Sequence, residues 1–219
     1  MQNYRYLLFD LDGTLIYSHE GIFACIAHAL KVMGREELCT ADRLRRCIGP
    51  TLVYSFSHYF EMSRADAERT TAVYREEYAK TGVHQNRPIE GALETLQALK
   101  EKGFVLALAT SKPQGFAEQI VKRWGFDKYL SVVVGAGLDG SLHTKAGVIE
   151  EAVKRLGANE KECLMVGDRK HDKEGADENG VDCAMLKVGY AENEEEFQGA
   201  NPKFVFENFA ELCAFLCKA

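Results

Sequence analysis

The stretch that most limits what this chain can become is residues 6–14. Tyr6-Leu7-Leu8-Phe9 is a short apolar run that reads as a buried strand, and it stops at Asp10-Leu11-Asp12-Gly13-Thr14. Two carboxylates separated by one residue, at the carboxyl end of a buried strand, are costly unless something compensates them. A divalent cation is the usual compensation. Hard oxygen ligands suit Mg²⁺, which commonly works together with substrate phosphates. Gly13 lets the chain turn sharply and bring backbone N–H groups near an anion. In open α/β sheets ligands bind outside the carboxyl ends of the strands. A strand ending this way calls for partners elsewhere: a further carboxylate, a counter-charge and donors for phosphate oxygens.

The rest of the chain alternates in a way that places such partners. Residues 20–34 carry Ile22, Phe23, Ile26, Ala27, Leu30 and Met33 at helical spacing, with Gly34 as a stop. A short basic turn at 41–46, a helix over 51–61 and another over 64–80, with Ser63 as its N-cap, complete a strand-free segment. Residues 82–88 read as a linker. From Pro88 onward helices and apolar strands take turns. Helix 91–102 precedes strand 104–109, helix 114–124 precedes strand 132–134, and helix 145–156 precedes strand 163–166. Helix 172–179, strand 183–188, a short strand at 204–206 and helix 208–217 follow. This order predicts an α/β fold with a doubly wound parallel, Rossmann-like sheet and an inserted all-α domain. The expected domains are 1–16 with 87–219 as the core, and 17–86 as the insertion. Glu192 to Glu196 reads as an acidic, solvated helix face.

Bulk properties narrow the function classes. The chain has 219 residues, enough to bury a substantial core. Its net charge of −6 argues against binding a nucleic-acid polymer. No apolar run reaches the ~18–20 residues that span a bilayer, and the N-terminus lacks a signal-peptide pattern. Seven cysteines without a Cys-x-x-Cys pair fit a reduced, cytoplasmic protein. Cys213 and Cys217 fall one helical turn apart and read as small apolar fillers rather than metal ligands.

Three further stretches fall at predicted strand ends. The second strand of the alternating pattern stops at Thr110-Ser111-Lys112-Pro113, where hydroxyls lead into a helix N-terminus suited to phosphate. Lys145, in Ser141-Leu-His-Thr-Lys145, offers a positive charge to an acidic site. Gly167-Asp168-Arg169-Lys170-His171-Asp172 adds one carboxylate in reach of Asp10 and another four residues on. Singly, these are an N-cap, a solvated lysine and a capping aspartate. Together, in this order, they point to one site.

That order resembles the haloacid-dehalogenase-like hydrolase superfamily, whose four motifs stand here as Asp10-Leu-Asp12-Gly13-Thr14-Leu15, Thr110-Ser111, Lys145, and Gly167-Asp168 with Asp172. Phe-Asp-Leu-Asp-Gly-Thr-Leu and Ala-Thr-Ser-Lys-Pro look most like its phosphoglycolate-phosphatase-like branch. Gly-Asp-Arg-Lys-His-Asp, followed by Gly175-Ala176, looks closer to nucleotidase-like relatives. Arg169 departs from the small hydroxyl residue common after Gly-Asp. The resemblance implies that Asp10 attacks phosphorus to form an aspartyl phosphate and that Asp12 serves as general acid and base. It implies Mg²⁺ as cofactor, held by Asp10, Asp12 through its carbonyl, Asp168 and Asp172. Thr110 and Lys145 would complete the catalytic set, with Gly13, Ser111 and Lys112 binding phosphate or substrate. The second aspartate, Asp12, argues against dehalogenation.

In this family an insertion like 17–86 is a mobile cap that selects substrate. His19 and Arg46 are the expected substrate contacts there, with Arg45, Gly49 and Pro50 beside Arg46. His58 and His84, and the aromatics Phe23, Tyr54, Phe56, Tyr59 and Phe60, read as structural. The expected partner is a small phosphorylated metabolite, phosphoglycolate or a nucleoside monophosphate, and the expected state is a monomer or homodimer. A phosphosugar mutase of the same family is the alternative. A phospho-accepting signalling module fits less well, because its acceptor does not sit on the first strand with a second acid two residues on.

Overall fold

The computed structural model describes residues 4–137, 141–189 and 199–218. The chain divides into two compact units, Met1–Tyr17 with Pro88–Ala219, and Ser18–Arg87. The two crossings between them are two-residue strands, β2 (Ile16–Tyr17) and β3 (Arg87–Pro88).

The first unit is built on a six-stranded parallel sheet. Its strands are β1 (Tyr6–Phe9), β4 (Val105–Pro113), β5 (Leu130–Ala136), β6 (Cys163–Gly167), β7 (Asp182–Leu186) and β8 (Phe204–Phe206), in the order β5-β4-β1-β6-β7-β8. β1 lies between β4 and β6, with Phe9 level with Leu108 and Val166. The strand order reverses at this point, and the crevice beyond β1 is where a doubly wound sheet binds ligands. Central strands this apolar are buried on both faces, and Leu7, Leu8 and Phe9 are fully buried.

Among the described residues five α-helices accompany the sheet: α5 (Ala92–Glu101), α6 (Gln114–Trp124), α7 (Lys145–Leu156), α8 (Lys170–Glu178) and α9 (Phe209–Cys217). One face of the core joins Leu8, Ala107, Ala109 and Met165 to Val148, Ile149 and Ala152 of α7 and Ala176 of α8. The starts of α7 and α8 are thereby held near the carboxyl ends of β4, β1 and β6. Thr144 caps α7 by accepting from the Gly147 N–H at 3.0 Å, and Gly157 ends it in the left-handed conformation.

Most elements lie within a few residues of where periodicity puts them, and β4 is the instructive exception. Its apolar run predicts an end at Ala109, yet the strand continues through Pro113. Thr110 pairs with Gly135 and Pro113 with Ala136, so Ser111 and Lys112 are extra residues in a bulge. The bulge has two supports. Gly135 leaves room, since a Cβ there would stand 2.6 Å from the Lys112 carbonyl oxygen. The Gln114 side chain donates to the Val133 carbonyl and accepts from the Gly135 N–H, standing in for ladder hydrogen bonds. The acidic run Glu192 to Glu196 lies outside the described residues.

The second unit is helical: α1 (His19–Val32), α2 (Ala41–Arg46), α3 (Leu52–Tyr59) and α4 (Arg64–Lys80). α4 buries Ala67, Thr70, Thr71, Tyr74 and Tyr78 and packs against α1 and α3. Phe56 is fully buried, whereas Tyr54 is exposed and stacks on His58. No helix among the described residues is long and apolar enough to cross a membrane. Ser63 caps α4, accepting from the Asp66 N–H at 3.2 Å and donating to its carboxylate at 2.7 Å. Ser63→Ala is expected to lower the unfolding free energy by about 1 kcal/mol, read as a lower urea midpoint with an unchanged slope.

Candidate active site

The site grows from the end of β1. Asp10 follows the strand, and its N–H donates to the Val166 carbonyl of β6 at 3.0 Å. Residues 11–16 then form a tight loop. Leu15 and Ile16 both donate to the Leu11 carbonyl, and the Gly13 N–H donates to the Ile16 carbonyl at 2.8 Å. Within this loop the Asp12 side chain is directed to Lys112, whose Nζ lies 2.9 Å from both carboxylate oxygens. The β4 bulge carries Lys112 to that position. Thr14, two residues beyond Asp12, donates its hydroxyl to Asp168 Oδ1 at 2.9 Å.

Asp10, Asp168 and Asp172 converge. Ligand oxygens of these three buried carboxylates lie within 4.8 Å of one another. Lys145, the first residue of α7, sits among them. Its Nζ is 2.6 Å from Asp10 Oδ1, 2.9 Å from Asp172 Oδ1 and 3.2 Å from the Ala109 carbonyl oxygen. Asp172 also does the capping work expected of an aspartate at the third position of α8. Its Oδ2 accepts from the Arg169 N–H at 3.0 Å and the Asp168 N–H at 3.2 Å. Gly167 makes this possible, because a Cβ there would overlap the Asp172 carboxyl at 2.2 Å. Capping and ion-cluster roles are thus combined in one side chain.

Three buried carboxylates face one buried ammonium, an excess of negative charge where water cannot screen it. Burial raises the Asp10 pKa to about 6, opposed by Lys145 and reinforced by Asp172 and Asp12. Burial likewise pushes Asp168 well above the usual carboxylate range, with Asp172 and Asp10 adding to it and the Arg169 charge and Thr14 hydroxyl opposing it. Burial works against the charge of Lys145, but Asp10 and Asp172 outweigh it and raise its pKa. Asp168 Oδ2 is buried with no hydrogen-bond partner among the described residues. An unpartnered buried carboxylate oxygen within a cluster of hard, buried carboxylate oxygens fits a divalent cation, which would satisfy that oxygen and offset the charge.

Of the other residues singled out in the sequence, Thr110 is buried in β4, its hydroxyl accepting from the Lys112 N–H at 3.3 Å. Ser111 lies in the bulge beside it. His19 and Arg46 belong to the helical unit, as the first residue of α1 and the last of α2. Arg46 is 3.1 Å from Asp42 in an exposed ion pair. Cys213 and Cys217 bring their sulfurs to 3.8 Å, and no third ligand joins them among the described residues. Sequence reasoning gave no role of its own to Thr14 or to the Gln114–Gly135 support. Thr14 carries a usable signal, since a hydroxyl within the acidic motif can reach a neighbouring carboxylate.

The haloacid dehalogenase-like hydrolase family matches residues 7–186, and the chain belongs to that family. Among its relatives, a 5'-nucleotidase of Pseudomonas aeruginosa is 37% identical over 209 residues, covering 95% of this chain and 94% of that protein. The pyrophosphatase PpaX of Halalkalibacterium halodurans is 32% identical, covering 94% of each. The crystal structure of a predicted phosphatase from Clostridium acetobutylicum superposes with a TM-score of 0.92 at 32% identity. It covers 99% of this chain and 100% of that one.

Burial of the acidic groups sets a pH dependence. A carboxyl whose pKa is raised by folding binds more protons in the native state, so it costs stability as pH rises. For Asp10 the window runs from its ordinary 3.8 to about 6. Lys145→Met leaves the acids without their counter-charge and is expected to cost about 3–5 kcal/mol above that window. The deficit should shrink towards pH 5, where Asp10 takes up a proton. Urea denaturation of both proteins at pH 5 and pH 8 checks this, and an equal deficit at both would contradict it.

Proposed function

We propose that this chain is a Mg²⁺-dependent phosphatase that hydrolyses a small phosphomonoester through an aspartyl phosphate on Asp10. The observation that carries the reading is the division of labour between two aspartates. Asp10 is held by Lys145 within the acidic cluster, whereas Asp12 is turned to Lys112, so the two carboxylates have different partners. A nucleophile and a general acid need such separate surroundings.

Above a pKa of about 6 the Asp10 carboxylate is ionised at neutral pH. It attacks phosphorus as the bond from phosphorus to the leaving oxygen breaks, and Asp12 gives that oxygen its proton. Asp12 then takes a proton from water, which attacks the phosphorus of the aspartyl phosphate and frees Asp10 and inorganic phosphate. Lys112 steadies Asp12, and Lys145 holds Asp10 while its charge favours the anionic phosphoryl group. Thr110, Ser111 and the backbone at Gly13 are assigned to the phosphoryl oxygens. Asp10, Asp168, Asp172 and the Asp12 carbonyl would hold Mg²⁺. When bound, Mg²⁺ would neutralise the repulsion between carboxylate and phosphate and polarise the phosphoryl group.

Of the two substrate classes read from the sequence, nucleoside monophosphates gain support from the name of the 37% identical relative. Substrate selection is assigned to the helical unit, with His19 and Arg46 as the residues to vary first. Phosphate release from a panel of nucleoside monophosphates, phosphoglycolate, hexose phosphates and diphosphate, with Mg²⁺ and with chelator, tests the reading. Metal-dependent release concentrated on nucleoside monophosphates is expected. Asp10→Asn should abolish turnover, and Asp12→Asn should lower kcat by about 10²–10⁴-fold. Release that survives Asp10→Asn would contradict the proposal, as would no release from any member.

A further inference from the structure

The loop after β7 makes a contact that the chemistry above does not use. The sheet order puts β6 between β7 and β1, so a residue leaving β7 must cross two strand spacings, about 10 Å, to reach the end of β1. Gly189, three residues beyond β7, makes that crossing and meets Gly13 backbone to backbone. A Cβ on Gly189 would stand 1.9 Å from the Gly13 carbonyl oxygen, 2.6 Å from its carbonyl carbon and 2.7 Å from its Cα. None of these atoms can swing aside as a side-chain tip would. Gly189 also has φ +65°, in the left-handed region.

The loop it touches has no slack. Gly13, Leu15 and Ile16 are each tied by backbone hydrogen bonds inside residues 11–16. A push on Gly13 passes to its neighbours on either side. One is Asp12, held by Lys112; the other is Thr14, whose hydroxyl holds Asp168. We propose that Gly189 is a positioning residue for the phosphoryl site. Its bare Cα abuts the nucleophile loop and fixes Asp12 and Thr14, and a side chain there displaces them. The inference rests on the phosphatase reading and deepens it, by assigning part of the site's geometry to a glycine that contributes no reacting group.

Two effects of a substitution must be separated: backbone strain and overlap with Gly13. Gly189→Ala brings both. Gly189→Asn keeps the Cβ but tolerates the left-handed conformation better. Gly157 supplies the control. It has φ +59° with nothing within 4 Å of a Cβ, and it sits at the far end of the 12-residue α7 from Lys145. Gly157→Ala therefore carries strain without overlap.

The four variants Gly189→Ala, Gly189→Asn, Gly157→Ala and Gly157→Asn are compared with the unchanged chain. Thermal unfolding, kcat and KM on an aryl phosphate, and Mg²⁺ affinity by calorimetry are measured. Both Gly189 variants are expected to fold and to lose kcat by about 10–100-fold with little change in KM. Their Mg²⁺ binding should weaken, while both Gly157 variants keep kcat and Mg²⁺ affinity. Wild-type kcat and Mg²⁺ affinity in either Gly189 variant would overturn the proposal. Recovery in Gly189→Asn alone would also overturn it, by reducing the effect to strain. Failure of both Gly189 variants to fold beside folded Gly157 variants would make Gly189 a folding residue and overturn it too. An unchanged chain that is inert on phosphate esters would instead defeat the phosphatase reading. The Mg²⁺ affinities alone would then decide the role of Gly189.

Discussion

The structure of the first unit depends on one lysine placed among three buried carboxylates. Lys145 contacts Asp10 and Asp172, and Asp168 completes a cluster with them. A single ammonium cannot balance three carboxylates, and burial denies them water. Burial first, and the neighbouring carboxylates second, raise the pKa values of Asp10 and Asp168. Such a cluster is poor design for stability alone, since well-packed apolar groups would serve a core better. Its converging hard oxygens fit a divalent cation.

The sheet makes the cluster possible. Parallel strands set the carboxyl ends of β1, β4 and β6 side by side, and the helices that follow β5 and β6 return with their first turns beside those ends. Lys145 and Asp172 are both first-turn residues, of α7 and α8. Segments far apart in sequence, such as residues 10 and 145, are thereby brought to 2.6 Å. The same packing gives α8 its cap and the cluster its third carboxylate from one side chain, Asp172.

Much of this was legible in the sequence. The apolar run before Asp10, the alternation after Pro88 and the Ser63 cap are local signals, and their elements stand where periodicity puts them. Asp168, Asp172 and Lys145 were legible because each follows a strand pattern, and family resemblance tied them to Asp10. What could not be read locally depends on contacts across the sheet. The end of β4 was misplaced because Ser111 and Lys112 look like a loop start. The Gln114 side chain and the space at Gly135 support the pairing through Pro113. Lys112 was read as a phosphate or substrate contact, and the bulge brings it to Asp12. Gly189 gives no signal in its own neighbourhood, because its partner is 176 residues earlier in the chain. The helical unit is legible as helices, while any further role of its side chains is not, because their pattern resembles ordinary helix packing.

The most direct test of the central claim is calorimetric titration of Mg²⁺ into the metal-free protein near pH 6.5, in two buffers of different ionisation enthalpy. One site per chain is expected, with net proton release on binding, because the cation favours the ionised forms of Asp10 and Asp168 that burial disfavours. Asp168→Asn should lose both the binding and the release. Mg²⁺ binding that persists unchanged in Asp168→Asn, or no binding to the unchanged chain, would contradict the account.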